Sequence, residues 1–362
     1  MIKLATLFSG VGAIEEAFVK KGIKHKIVFA ADNGERECKI NVEEVKQITS
    51  KMSVKEKNEY IEKLYLELSK KENYMQTQYC ANFKVQSGHY YQDVRFIDGT
   101  VYKKDNIDLL VGGSPCQSFS IIGKRGGLED TRGTLFYEYA RIVKEAQPKA
   151  FIYENVLGML SHDKGQTWAT INNVFQSLGY SIQVFKVNAR DYGIPQDRKR
   201  IFVVGSLVEN NMEEPAKLKL DKFVDDYLED KIPAKYYLGE KGFSFVTNPA
   251  YSNRARINRT VMMCQKANQQ FNWNGDFRFE VYDKKKHTRE IMDRAYLGEY
   301  NGQKGVARQL TPRECFRLMG FNDDYKIVVH DNMAWRQAGN AIVVNVLEAI
   351  IDEMINKGLL KC

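Results

Sequence analysis

The first two hundred residues predict an α/β protein with a mostly parallel sheet and helices on both faces. Short apolar runs, rich in β-branched residues, alternate with amphipathic helical runs. Parallel strands are buried on both faces, so such continuous apolar runs are typical of them. The runs predicted as strands are 3–8, 26–31, 108–111, 151–153 and 201–204. Ligands of these sheets bind at the carboxyl ends of the strands, so the residues directly after each strand are candidates for function.

The composition excludes several classes of protein. The 362 residues are 43% hydrophobic and 28% charged, which is typical of a globular chain. The longest uninterrupted apolar run, 27–31, has five residues, against the roughly 20 that a membrane helix needs. We therefore expect no membrane contact, and the N-terminus has no pattern of a signal peptide. Six cysteines without a CxxC pair favour the reducing cytoplasm and predict no metal site. The net charge of +8 suggests a polyanionic partner.

The alternation of strands and helices stops after Ser206, which predicts a second, smaller domain. We expect a first domain over 1–210, a second over 211–304, and a return to the first over 305–362. Residues 250–310 contain twelve Lys or Arg and six Asp or Glu, together with many amides and aromatic rings. Such a patch suits phosphate contacts and the reading of base edges, although a charged run is also typical of an ordinary solvated surface.

A charged insert over about 41–75 interrupts the first domain. Residues 43–72 contain seven acidic residues and seven lysines, so their net charge is zero. Apolar and neutral residues recur there at helical spacing: Val54, Asn58, Ile61, Tyr65 and Leu68. We interpret the insert as a solvated helix packed by one stripe, and its charge argues against a nucleic-acid contact.

Two kinds of turn follow the predicted strands. The glycine-rich turn 8–13 joins the first strand to the first helix, where the backbone can approach a ligand and the helix N-terminus favours an anion. Asp32 ends the second strand, and Asp93 stands where a third strand could end. An acid at this position can accept hydrogen bonds from ribose hydroxyls, but each acid alone is equally typical of a turn.

A more specific constellation surrounds Cys116. This cysteine directly follows a strand on a Gly/Ser/Pro turn, where a thiolate would be exposed as a nucleophile. Glu154 follows the next strand, and Arg198 and Arg200 precede another. Together they predict a nucleophile, a proton donor and a cationic clamp at one edge of the sheet. The glycines that follow Cys116 predict a flap over 118–133 that closes on substrate.

Six motifs, in order, resemble those of the cytosine-C5 DNA methyltransferases of prokaryotic restriction–modification systems. They are 8–12, 115–117, 154–156, 196–200, 308–314 and 339–341. The resemblance covers about 1–40, 88–206 and 305–355. It implies the Rossmann-like fold of S-adenosylmethionine-dependent methyltransferases, with 211–304 as a variable target-recognition domain.

The resemblance also implies a mechanism. Cys116 attacks C6 of a flipped-out cytosine, and C5 then takes a methyl group from S-adenosylmethionine. Glu154 donates to N3, while Arg198 and Arg200 support the site and Arg200 contacts O2. The base must leave the duplex because C5 and C6 are inaccessible inside the stack.

The family pattern assigns the cofactor pocket as well. Asp32 would hold the ribose, and Asp93 with Val94 the adenine. The implied pocket comprises Phe8, Gly10, Val11, Gly12, Asp32, Asn33, Asp93, Val94, Pro115, Leu135, Phe321, Asn340, Ala341 and Ile342. Three residues depart from the pattern: Asn33 replaces a frequent aromatic, Ser114 a Pro or Phe, and Ala13 a Gly. None of these departures removes a catalytic group.

The expected partner is double-stranded DNA, bound by a monomer. Expected DNA contacts are Gln117, Ser120, Ile122, Arg254, Arg256 and Arg278. Ile122 is expected to fill the gap left by the flipped base, although a residue of 211–304 could do so instead. A cognate restriction endonuclease could share the target sequence without binding the enzyme. The alternatives are a tRNA cytosine-C5 methyltransferase and an inactive DNA-binding regulator, and the intact catalytic set argues against the latter.

Overall fold

A seven-stranded sheet organises the first of two units in the computed structural model, which describes residues 1–115 and 135–361. The first unit comprises Met1–Val187, Lys199–Ala216 and Val346–Cys362, and the second comprises Asn188–Arg198 and Lys217–Asn345. The main segment of the second unit thus begins at Lys217, within the expected 211–304, and runs past 304 to Asn345. The unit also includes the short segment Asn188–Arg198, which precedes the last strand of the first unit.

The predicted mostly parallel sheet is confirmed. Its strand order is β3-β2-β1-β4-β5-β8-β6. Strand β1 pairs in parallel with β2 and β4, and β4 with β5, whereas β8 runs antiparallel to β5. The strands are β1 (Ile2–Leu7), β2 (His25–Ala31), β3 (Tyr90–Tyr91), β4 (Leu109–Gly112), β5 (Ala150–Val156), β6 (Ser181–Asn188) and β8 (Lys199–Ser206).

Helices cover this sheet around an aromatic core. Phe136, Tyr139, Tyr153 and Phe175 pack edge to face on one another, and all four are fully buried. The helices are α1 (Ala13–Lys20), α2 (Val42–Ile48), α3 (Val54–Ser69), α4 (Tyr74–Asn82), α5 (Leu135–Ala146), α6 (Gln166–Ser177) and, near the C-terminus, α11 (Val344–Asn356).

The charged insert forms helices α2 and α3 and leads into α4. Helix α3 begins with a capping box between Ser53 and Glu56. Its predicted stripe is confirmed at Asn58, Ile61 and Tyr65, which are buried, whereas Leu68 is half exposed. Ile61 and Tyr65 pack on Val45 and Phe96, so the insert has a small core of its own.

The second unit contains a four-stranded sheet of order β12-β13-β11-β9 and a two-stranded parallel sheet of β7 and β10. The β7–β10 pairing explains why the segment before β8 belongs to this unit. The strands are β7 (Gln196–Asp197), β9 (Arg256–Ile257), β10 (Met262–Met263), β11 (Asp276–Val281), β12 (Gly298–Tyr300) and β13 (Gln303–Arg308). The helices are α7 (Glu240–Thr247), α8 (Arg289–Met292), α9 (Pro312–Arg317) and α10 (Asp331–Asn340).

A buried ionic network holds the second unit together at Arg308. Its guanidinium lies 2.9 Å from Glu314 on α9 and 2.7 Å from Glu280 on β11. Burial alone would raise the pKa of Glu280, but Arg308 and His287 lower it to about 2. Because removing one partner would leave a buried charge unpaired, this part of the 308–314 motif supports the fold.

A buried carboxyl group lies between α1 and α4 in the first unit. The side chain of Glu15 is fully buried, and its Oε1 accepts a hydrogen bond from the hydroxyl of Tyr79. Its Oε2 has no hydrogen-bond partner in the described part of the chain. Burial raises the pKa of Glu15 from 4.5 to about 7, although the hydrogen bond from Tyr79 opposes this shift.

We predict that Glu15 makes the stability of the protein depend on pH. Because the pKa is higher in the folded state, the stabilisation is complete below the unfolded pKa and is lost as the pH rises through about 7. The free energy of unfolding should fall by roughly 3 kcal/mol across this window. Urea unfolding from pH 4 to 8 measures it. In Glu15→Gln this fall should be absent, whereas Glu43→Gln, an exposed control, should behave like the wild type. An unchanged pH dependence in Glu15→Gln would contradict the assignment.

Candidate active site

The carboxyl ends of five neighbouring strands meet at one edge of the first sheet. Tyr91, Ala31, Leu7, Gly112 and Tyr153 lie side by side in the hydrogen-bonded register. The residues that follow these five along the chain are therefore neighbours at this edge: 92–94, 32–34, 8–12, 113–115 and 154–156. The predicted residues of the first unit that the structure describes lie in these segments, except Leu135 at the start of α5 and Arg200 on β8. The strands β5 and β8 are longer than predicted, so Glu154 lies in β5 and not after it, and Arg200 lies in β8 and not before it.

Register brings Glu154 and Arg200 together. On the antiparallel β5–β8 pair, Val156 lies opposite Arg200 and Glu154 lies opposite Phe202. Opposite residues share a face, as do alternate residues along a strand, so Glu154 and Arg200 are diagonal neighbours. Nε of Arg200 lies 3.0 Å from Oε1 of Glu154. Their side chains are 19% and 16% exposed, so the pair is held in place but still reaches solvent.

Arg198 has a different structural role from Arg200. It is buried in the second unit, and its guanidinium donates to the carbonyl oxygens of Gln265 at 2.8 Å, Gly339 at 3.1 Å and Ala341 at 2.9 Å. It therefore holds the backbone on either side of Asn340. Both arginines are expected to clamp substrate. The guanidinium of Arg198 is hydrogen-bonded to backbone carbonyl oxygens, so the two arginines are not expected to do so in the same way.

A buried hydrogen-bond network fixes the end of β4 against β5. The hydroxyl oxygens of Ser114 and Tyr153 are 2.7 Å apart, and Asn155 Nδ2 donates to the Ser114 carbonyl at 3.0 Å and to the Tyr153 hydroxyl at 3.2 Å. A Cβ on Gly113 would lie 2.4 Å from the carbonyl oxygen of Glu154, so only glycine fits. Ser114, Tyr153 and Asn155 were not predicted as a group. The sequence pattern that could have indicated them is a polar residue at or directly after the end of a buried strand.

This network holds the turn that leads to the expected nucleophile. Pro115 is exposed and is the last residue described before the gap. Cys116, Gln117, Ser120 and Ile122 lie outside the described residues, as does the expected flap, so these expectations stay predictions.

Asp32 ties together the turns after β1 and β2. Its Oδ2 accepts from the backbone N–H of Gly10 at 3.0 Å, and its Oδ1 accepts from that of Gly34 at 2.8 Å. Burial raises the pKa of Asp32, and these two N–H groups oppose the shift. Phe8, Gly10 and Gly12 all have positive φ, which for Phe8 is a strained conformation. Among the described residues, a Cβ on Gly10 would meet only the Phe8 carbonyl oxygen, at 4.0 Å, so this part of the chain leaves open space there.

Asp93 is held from two sides. Its Oδ2 accepts from the Tyr65 hydroxyl at 2.6 Å and from Arg95 Nη2 at 2.6 Å, and its Oδ1 accepts from the Arg95 backbone N–H at 2.9 Å. Among the other candidate cofactor residues of the first unit, Val11 and Val94 are buried, Leu135 is partly buried, and Asn33 is exposed. Phe321, Asn340, Ala341 and Ile342 belong to the second unit.

The candidate DNA contacts of the second unit differ in exposure. Arg254 is exposed, with its guanidinium 5.5 Å from the centre of the Phe245 ring, and Arg256 is partly buried on β9. Arg278 is buried and ion-paired with Asp225, and burial lowers its pKa to about 10. The expectation that Arg278 contacts DNA is therefore not favoured, because a phosphate would have to break a formed ion pair.

The amide-rich run 268–274 is also partly internal. Gln269 and Gln270 are buried, and the side-chain oxygen of Gln270 accepts from the backbone N–H of Leu310 at 3.1 Å. Composition could not reveal this, because an amide satisfies a buried backbone as readily as a base edge.

Residues 1–115 and 135–361 contain neither a membrane-spanning helix nor a cluster of metal ligands. None of the helices described there is long and apolar enough to cross a membrane. Within the same residues, no group of three or more His, Cys, Asp or Glu side chains could hold a metal ion.

The chain is similar to one family of known proteins. Residues 63–356 match the family described as C-5 cytosine-specific DNA methylase. The Type II methyltransferase M.HpaII of Haemophilus parainfluenzae is 36% identical over 285 residues, which are 74% of this chain and 77% of that protein. M.HhaI of Haemophilus parahaemolyticus is 36% identical over 256 residues, which are 67% and 74% of the two chains.

The fold is shared more widely. The crystal structure of the S. pombe Dnmt2 methyltransferase has a TM-score of 0.66 and 16% identity, with 99% of each chain covered. At that identity the likeness concerns the fold alone. The family match and the two Type II relatives confirm the resemblance seen in the motifs: this chain belongs to the C-5 cytosine-specific DNA methylases and is a DNA (cytosine-5-)-methyltransferase.

Proposed function

We propose that this chain methylates cytosine within a specific sequence of duplex DNA through a covalent bond between Cys116 and C6 of the base. The observation that carries the proposal is the ion pair of Glu154 and Arg200, at the strand edge where the turn 113–115 leads to Cys116. Family membership supports the reaction class, and this geometry supports the roles of individual residues.

The chemistry follows from the polarity of the cytosine ring. The Cys116 thiolate adds to C6 while Glu154 donates to N3, which makes C5 nucleophilic. Arg200 binds O2 and holds the carboxyl of Glu154 in reach of N3. When bound, S-adenosylmethionine would supply an electrophilic methyl carbon on its sulfonium, which C5 takes while S-adenosylhomocysteine leaves. Loss of the C5 proton to a base then re-forms the C5–C6 double bond and expels the thiolate, and the N3 proton returns to Glu154.

The residues present fit the adenosyl part of this cofactor. Each oxygen of Asp32 accepts one backbone N–H, so each keeps a lone pair for a ribose hydroxyl. The open space at Gly10 leaves room for a ligand against the backbone. By the family pattern, Asp93 and Val94 would hold the adenine, and the side chains of Phe8, Val11, Pro115 and Leu135 would complete this part of the pocket. In the second unit, Phe321, Asn340, Ala341 and Ile342 are assigned on the family pattern alone.

We propose duplex DNA rather than tRNA as the substrate. The relatives that match at 36% identity are Type II methyltransferases, whereas the likeness to the Dnmt2 structure concerns only the fold. The second unit, with exposed Arg254, would read the target sequence, and a cognate endonuclease would share that sequence without binding the enzyme. A monomer would suffice for this reaction, because one chain supplies Glu154, Arg200 and the turn 113–115. We propose that the enzyme acts in the cytoplasm.

Bisulfite sequencing of plasmid DNA from cells that express the protein tests this function. We expect protected cytosines in one sequence context only, and none when Cys116→Ala is expressed at the same level. Bisulfite sequencing of tRNA from the same cells serves as the control. Protection of tRNA but not of plasmid would contradict the proposed substrate, and plasmid protection by Cys116→Ala would contradict the nucleophile.

Tyr153 should position the turn that carries the nucleophile, and Tyr139 provides a matched control. Both are buried tyrosines with ring centres 5.0 Å apart, but the Tyr139 hydroxyl donates to the Ile152 carbonyl and, within the described part of the chain, makes no hydrogen bond to the turn. We predict that Tyr153→Phe slows single-turnover methylation by about 5–10-fold, because a lost buried hydrogen bond is worth about 1 kcal/mol.

The affinities for DNA and cofactor should stay unchanged in Tyr153→Phe. Tyr139→Phe should lose stability to a similar extent but keep its rate. Equal slowing in the two variants would mean that Tyr153 supports only the core.

A further inference from the structure

The end of the charged insert lies against the turn after β2, which holds the candidate cofactor residues Asp32 and Asn33. Asn73, near the end of the insert, is the N-cap of α4. Its Nδ2 donates to the backbone carbonyl of Asp32 at 2.8 Å and to Gln92 Oε1 at 2.7 Å. A Cβ on Gly34 would collide with the Asn73 side chain, so the turn and the end of the insert are in close contact.

Arg36, which lies between the turn after β2 and the insert, links that turn to α3. Its side chain is buried, its Nε donates to the Asn33 carbonyl at 2.9 Å, and its Nη2 donates to Gln92. The guanidinium lies 4.9 Å from the centre of the Tyr65 ring, within the range of a cation–π contact. The backbone of Asn33 is thus held by a residue that packs on α3.

Tyr65 extends this contact to the second candidate acid. It is 2% exposed, and its ring packs with Val45, Ile61 and Phe96 while its hydroxyl donates to Asp93. Burial and the charge of Asp93 raise the pKa of Tyr65, so the phenol remains a proton donor throughout the physiological range. Ring and hydroxyl therefore have separable roles, one in packing and one in orienting a carboxylate.

We infer that the insert over 41–75 is a positioning element for the cofactor's adenine, in which the Tyr65 hydroxyl fixes the direction of the Asp93 carboxylate. This inference rests on the proposed function, in which Asp93 recognises the adenine. A carboxylate discriminates best between an amino group and a carbonyl oxygen when its orientation is fixed before the ligand binds. The Tyr65 hydroxyl and the backbone N–H, Nε and Nη2 of Arg95 all donate to Asp93, and of these donors Tyr65 comes from the insert.

The test compares two ligands in calorimetric titrations of the full chain: S-adenosylhomocysteine and S-inosylhomocysteine, in which a carbonyl replaces the 6-amino group. The wild type should prefer the adenosyl ligand, because the amino group donates to Asp93 and the carbonyl oxygen would be repelled. Tyr65→Phe keeps the packing ring but loses the hydroxyl. Its affinity for the adenosyl ligand should fall about 5–10-fold, with little change for the inosyl ligand.

Tyr60→Phe, on the same helix and at the edge of the same cluster, is the control and should preserve the wild-type preference. A preference that Tyr65→Phe leaves intact, or an equal loss for both ligands, would overturn the inference, because a purely structural residue does not change selectivity. If the wild type binds neither ligand, the proposed function fails and the inference with it. A wild type that binds both equally would overturn only the inference.

Discussion

The antiparallel register of β5 and β8 is the constraint on which the candidate site depends. It places Arg200 diagonally across from Glu154, on the same face of the sheet. A shift of one residue would turn Arg200 to the other face and leave Glu154 without this partner. The side chains of Tyr153 and Asn155 lie on the opposite face of β5, where they form hydrogen bonds with Ser114. One strand thus holds the acid on one side and the turn toward the nucleophile on the other.

At the sheet edge that is proposed to bind the cofactor, two carboxylates are hydrogen-bonded to the residues around them. Asp32 joins the glycine turn to the turn after β2 through two backbone N–H groups, while Asp93 is held by Tyr65 and Arg95. A carboxylate fixed in this way costs little to order when a ligand binds. The insert therefore contributes to order at the ligand edge, although its sequence suggested only a solvated helix.

The sequence was informative where pattern and position coincide. Continuous apolar runs predicted the parallel strands, and the motifs after them placed Glu154 and Asp32 at one edge. Composition was less informative about exposure. Arg278 counted toward a basic surface but is buried against Asp225, and Gln270 is satisfied by the backbone of Leu310. These partners are distant in sequence, and a count of charges and amides contains no information about pairing across the fold.

If the register pairs Glu154 and Arg200, the two residues should act on the base as one unit. A double-mutant cycle on single-turnover methylation measures this coupling, with Glu154→Gln, Arg200→Ala and the double variant, at saturating DNA and cofactor. Each single change should slow the chemical step, by something like the roughly 10²–10⁴-fold typical of an acid–base group for Glu154→Gln. We expect the double variant to be about as slow as the slower single variant. Losses that multiply would show that the two residues act independently and that the register does not couple them.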